Sequence, residues 1–183
     1  DGWVCISCRE DARFAALESD LQNLAGVVTE IDGVLDTLGE GPAAVEHVLT
    51  LPPMLSPTTS SAPWSLDASG YAVRPAPQIA LSGIAPAVIP NGVRLTTFRA
   101  SGVNSGAGLL RTSLMRPRLI GAPSPADRLA RVTGDQGAPF DTSVAVDAAM
   151  TTVDTTIFRY FVLATLDNAS PADTVALSGF RIT

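Results

Sequence analysis

The chain has 183 residues and a formal net charge of −6 at pH 7, and all twelve of its basic residues are Arg. Hydrophobic residues make up 46% and charged residues 16%, yet no apolar stretch approaches the roughly 18 residues a membrane span requires. Fifteen Gly and fourteen Pro occur without a run or a period, which excludes a collagen and a low-complexity linker. Charge is unevenly placed: residues 1–45 carry nine acids against two Arg, and residues 46–183 nine acids against ten Arg. An acidic stem and a near-neutral head lack the basic footprint of a nucleic-acid binder.

In chain order, Asp1-Gly2-Trp3 shows neither a basic n-region nor an apolar h-region, so no secretory signal is read there. Residues 1–9 hold a CxxC pair, Cys5 and Cys8. A redox CxxC opens a helix within a βαβ unit, a c-type haem site needs His where Arg9 stands, and a zinc site needs four ligands. Crosslinks between chains, idle thiols and a metal shared between chains remain open.

Residues 10–40 carry the clearest periodicity. Phe14, Leu17, Leu21, Leu24, Val28, Ile31, Leu35 and Leu38 are spaced 3, 4, 3, 4, 3, 4, 3. This is a heptad repeat with Phe14, Leu21, Val28 and Leu35 at a and the others at d. A seam of mean period 3.5 stays on one face only when helices supercoil about each other, so a coiled-coil stem is expected. Ala25 at e and Val27 and Val34 at g widen the apolar face, which favours three or more strands. Gly26 and Gly33 fall at f, the outermost position, and each costs about 1 kcal/mol of helix propensity relative to Ala. Gly39, Gly41 and Pro42 end the helix.

From residue 46 the period changes. Short segments rich in Val, Leu, Ile, Thr and Phe alternate with turn clusters, predicting strands at 47–51, 71–73, 78–82, 93–101, 109–116, 128–133, 143–146, 156–166 and 174–183. Alternation sets Val93, Leu95 and Thr97 against Arg94, Thr96 and Phe98, and Leu110, Thr112 and Leu114 against Arg111, Ser113 and Met115. Residues 157–166 are nearly all apolar and read as a central strand covered on both faces. The expected fold is mainly β: an antiparallel, jelly-roll-like β-sandwich head over 46–183, preceded by an α-helical coiled coil.

Candidate chemistry is sparse. His47 is the only histidine, and no Gly-x-Ser-x-Gly elbow accompanies it. Asp135, Asp141, Asp147 and Asp154 could in principle supply a carboxylate pair for glycoside hydrolysis, but no spacing fixes two of them together. The oxygen-rich loop 167–173 lacks the Gly of an EF-hand and reads as a turn. Trp64 and Tyr71, in a Ser/Pro-rich loop over 56–77, are candidates to stack on a sugar ring or a partner, or to cap one end of the sandwich. No residue set calls for a cofactor.

The segments NGVRLTTFRASGV (91–103), LLRTSLMRPRL (109–119), TTVDTTIFRYFVLATL (151–166) and DTVALSGFRIT (173–183) follow one another. In pattern and order, residues 46–183 resemble a β-sandwich domain found at the C-termini of phage tail-fibre and bacterial surface proteins. That domain is similar to the trimeric tumour-necrosis-factor-like jelly rolls carried on stems. The resemblance implies a homotrimer with an attachment role on a virion or cell surface, alongside other structural proteins and a host glycan or receptor. The lack of a catalytic constellation, of a basic footprint and of a long apolar stretch predicts no enzymatic activity, no nucleic acid and no membrane insertion. The alternatives are a polysaccharide-degrading fibre head with a site between subunits, and a secreted bacterial adhesion module.

Overall fold

The structure is a computed structural model that describes residues 6–39, 47–58, 63–122 and 124–183, with helix side chains described over 15–31. The chain divides into two units, Asp1–Val45 and Glu46–Thr183.

The first unit holds one helix, α1, Ile6–Gly39, 34 residues long and roughly 50 Å end to end. No Pro interrupts it. It begins four residues ahead of the predicted start, so Ile6 to Arg9 are helical too. Every side chain over 15–31 is exposed, including those on the apolar stripe.

The second unit is mainly β. Its strands are β1 (Leu49–Leu51), β2 (Ser56–Pro57), β3 (Ser65–Leu66), β4 (Ala72–Val73), β5 (Leu81–Ala87), β6 (Thr97–Asn104), β7 (Leu109–Arg116), β8 (Asp127–Thr133), β9 (Ala138–Ala145), β10 (Tyr160–Asp167) and β11 (Val175–Ile182). They form two antiparallel sheets. The six-stranded sheet runs β3-β4-β11-β6-β9, with β1 also on β11; the five-stranded sheet runs β2-β5-β10-β7-β8.

The inner faces make one core. Phe98, Phe180 and Leu177 come from one sheet, and Leu110, Leu114, Val162 and Leu166 from the other, all at most 2% exposed. The rings of Phe98 and Phe180 stack with centroids 6.3 Å apart. Burying a side chain of this size stabilises by about 1.5–3 kcal/mol, so the sandwich rests on these alternate positions.

Three expectations change. The predicted strand at 93–101 breaks in two. Residues 92–96 bond to 151–153 and to Thr183, through Leu95 N–H to Thr151 O at 2.7 Å and Thr96 N–H to Thr183 O at 2.6 Å. The strand proper then starts at Thr97. The alternation therefore changes phase, and both Leu95 (1% exposed) and Phe98 (0%) point inward.

The predicted strand at 78–82 lies instead at Leu81–Ala87, through Gly83 and Pro86. Ser82 accepts a hydrogen bond from Thr58 N–H, so Ser82, Ile84 and Pro86 turn their backbone polar groups toward β2. β2 pairs no further than Ile84, so Pro86 sits where its missing N–H breaks no ladder bond. The predicted strand at 143–146 extends back to Ala138 through Pro139 and Phe140.

Candidate functional site

The seam residues with described side chains are all open to solvent in the single chain: Leu17 at 57%, Leu21 at 66%, Leu24 at 65%, Val28 at 51% and Ile31 at 52%. The g residue Val27 is 53% exposed. For Phe14, Leu35, Leu38 and Cys8 the structure describes the backbone, which is helical, and their side chains lie outside the described residues. Cys5 lies outside them entirely.

The two aromatic candidates part company. Trp64 is 5% exposed and belongs to the core, so of the two alternatives for it the burial favours packing within the sandwich over an open ligand contact. A Cβ on Gly83 would stand 3.0 Å from its ring carbon Cδ1 and 2.9 Å from Cβ of Leu55, so Gly83 is what lets this segment close over the sheet. Tyr71 is 43% exposed. It ends the turn between β3 and β4, where Asp67 accepts from the N–H groups of Ser69 and Tyr71, both at 2.9 Å.

The acidic candidates are spread over separate local structures. Asp141 pairs with Arg99 on the outer face of the six-stranded sheet. Asp147 caps a short 3-10 turn by accepting from Ala149 N–H at 2.9 Å. Asp154 accepts from the N–H and hydroxyl of Thr156 at 2.9 and 2.6 Å. These bonds hold Asp141 and Asp154 below the usual carboxylate range, through Arg99 and Thr156 respectively. Asp135 is exposed on the turn between β8 and β9, and His47 is exposed just ahead of β1. In the 167–173 loop, Asp173 accepts from Ser170 N–H at 2.8 Å. Among the described residues no three His, Cys, Asp or Glu side chains gather as a metal site would require.

The surface that sequence reasoning missed is the outer face of the five-stranded sheet. β10 was expected to be covered on both faces. Tyr160, Val162, Ala164 and Leu166 are buried, but Phe161 and Leu163 on the other face remain half-exposed. The ladder sets out this outer face in rows. Ser82, Thr165, Arg111 and Thr133 lie across one row; Ile84, Leu163, Ser113 and Arg131 across the next; Pro86, Phe161, Met115 and Arg128 across the third. The face thus grades from polar to apolar along the strands, with Arg on the β7–β8 side.

Two concavities follow from this gradient. An apolar groove of about 730 Å³ runs over Ile84, Pro86, Met115, Phe161 and Leu163. Val88, 85% exposed, and Leu119, 54% exposed, extend it. Arg116 lies over the ring of Phe158 at 4.4 Å, and Arg118 at 5.8 Å, at its rim. A polar concavity of about 440 Å³ joins the groove at Leu163 and is lined by Ser82, Arg111, Ser113, Arg131, Thr165 and Asp167.

The outer face of the other sheet differs. Thr97, Arg99, Ser101, Asp141, Ser143 and Arg181 make it polar and ion-paired. A sheet face bathed in water needs only the second kind of surface. The apolar part of the five-stranded sheet's outer face exceeds what contact with water requires.

Comparison of the chain with family models, with curated proteins and with solved structures yields no match.

Proposed function

We propose that the chain is a subunit of a non-enzymatic structural and attachment protein of a virion or cell surface, a homotrimer with a helical coiled-coil stem and a recognition head. The observation that carries this reading is the apolar stripe of α1, whose Leu, Val and Ile side chains at a and d stand half or more exposed in one chain. A stripe of period 3.5 finds cover most directly in copies of itself. The apolar e and g residues Ala25 and Val27 favour three helices over two.

The head supports the same reading. Its strand order places β1, β11, β6 and β9 in one sheet and β5, β10, β7 and β8 in the other. Successive strands mostly change sheet, the connectivity of a jelly roll. This agrees with the resemblance of residues 46–183 to fibre-head domains. The outer face of the five-stranded sheet is then the surface by which the head meets a surface partner.

The test is the mass of the assembly. Replacing Leu24 and Ile31 together by Asp sets six charges into a three-chain seam, each costing several kcal/mol to desolvate. Light scattering at micromolar concentration is expected to give three chains for the parent and one for the variant. A monomeric parent, or a variant of unchanged mass, overturns the reading.

A further inference from the structure

The polar concavity at the β7–β10 end of the five-stranded sheet is not explained by folding. Arg111 and Arg131 lie in adjacent rows of neighbouring strands, and Arg128 follows on β8. Among the described residues the one carboxylate that reaches this group is Asp167, 3.3 Å from Arg111, with the two side chains 35% and 49% exposed. Such a pair contributes little and opens readily. Among the described residues Arg131 donates only to the Ser113 hydroxyl, at 3.3 Å. Burial, then the like charges of Arg128 and Arg111, hold its guanidinium below its ordinary value. Three guanidinium groups therefore share one carboxylate, a local excess of positive charge that an arriving anion relieves.

The surroundings narrow the ligand. Ser113, 4% exposed, anchors Arg131, while half-buried hydroxyls of Ser82 and Thr165 lie in the same concavity, on strands about 4.8 Å apart. They donate and accept, as sugar hydroxyls require. Leu163, shared with the apolar groove, and Phe161 beyond it offer a flat apolar floor to the C–H face of a pyranose. A guanidinium fork matches a carboxylate in two hydrogen bonds. A nucleic acid would need a longer cationic track than these three Arg make.

Resting on the reading of the head as a recognition domain, we propose that this concavity binds an acidic saccharide. The sugar carboxylate lies between Arg111 and Arg131, the hydroxyls of Ser82 and Thr165 meet the ring hydroxyls, and Leu163 and Phe161 support the ring.

The experiment titrates the full chain with trigalacturonate and, as the neutral match, with galactotriose, by calorimetry and amide chemical shifts at low and high salt. Trigalacturonate is expected to bind at least tenfold more tightly than galactotriose and to weaken as salt rises. Arg131→Gln is expected to lose tenfold or more of that affinity. Arg131→Lys, which keeps the charge but loses the fork, is expected to lose less, and Arg99→Gln on the opposite sheet nothing.

Absence of binding by trigalacturonate overturns the inference. So do equal binding of galactotriose, an Arg131→Gln variant that binds as the parent does, and tighter binding of hexaglutamate at the same residues, which would reassign the site to an acidic peptide. Light scattering on the same samples separates the two readings. A trimer that ignores the sugar sinks this inference alone, and a monomer that binds it sinks the stem alone.

Discussion

A methyl group at Gly102 would stand 2.3 Å from the carbonyl oxygen of Ala176 and 3.1 Å from the ring of Phe140. The oxygen belongs to the paired strand and cannot swing aside. Gly102→Ala is therefore expected to cost about 1–3 kcal/mol, seen as a lower urea midpoint at unchanged slope. A midpoint within error of the parent would show that β6 and β11 shift freely.

Arg74 is a different kind of residue. It is 9% exposed and donates to the carbonyl oxygens of Gln78 at 2.6 Å, Pro171 at 3.1 Å and Asp173. It ties two loops together, and nothing in its sequence neighbourhood announces that. Asp141 and Asp154 carry a pH signature. Both are held below the ordinary carboxylate value of 3.8, by Arg99 and Thr156. A depressed folded value stabilises above the unfolded one and is lost as pH falls through the folded one. The stability difference between the parent and Asp141→Asn is thus expected at neutral pH and to shrink below about pH 4. Both groups are exposed, so the effect is small. Equal differences at pH 7 and pH 2 would show that the Arg99 contact does not depend on charge.

At the scale of elements, α1 and β10 show how far periodicity reaches. The 3.5 spacing marks the apolar stripe, and Gly26 falls opposite it, with nothing within 4 Å of the Cβ it lacks. Gly26→Ala is expected to stabilise the helix by about 1 kcal/mol per chain, raising its melting temperature by circular dichroism with the mass unchanged. Loss of the assembly would place Gly26 inside the interface and shift the seam. In β10, period-2 reading finds the buried parity from Tyr160 to Leu166. It cannot tell cover from exposure on the other parity, because both Phe161 and Leu163 are apolar. That distinction belongs to what lies across the sheet. Along 93–101 the same reading carries one phase too far, since the break at Thr97 comes from hydrogen bonds to Thr183, distant in sequence.

For the whole molecule, the two units contrast. Residues 46–183 bury a shared core between two sheets, whereas α1 exposes every described side chain. Brief proteolysis is expected to cut first within 1–45 and to leave a fragment of nearly the full 46–183 mass. First cuts inside Val93–Arg116 would contradict the packing of β6 and β7.

Local periodicity, turn chemistry and charge determined by themselves that residues 10–38 form a helix with one apolar stripe, that the rest is a mainly β unit, and that 109–116 and 160–166 are strands within it. These are short-range properties: side chains at 3.5 or 2 residue spacing share a face whatever the chain does elsewhere. Tertiary structure alone decided the partners. It put Trp64 inside through the gap at Gly83 and paired Arg99 with Asp141. It also brought Arg111, Ser113 and Arg131 beside Thr165 and Ser82 on strands far apart in sequence. The candidate site exists only across β5, β10, β7 and β8, and strand order is set by the closing of the sandwich, which no window of sequence contains.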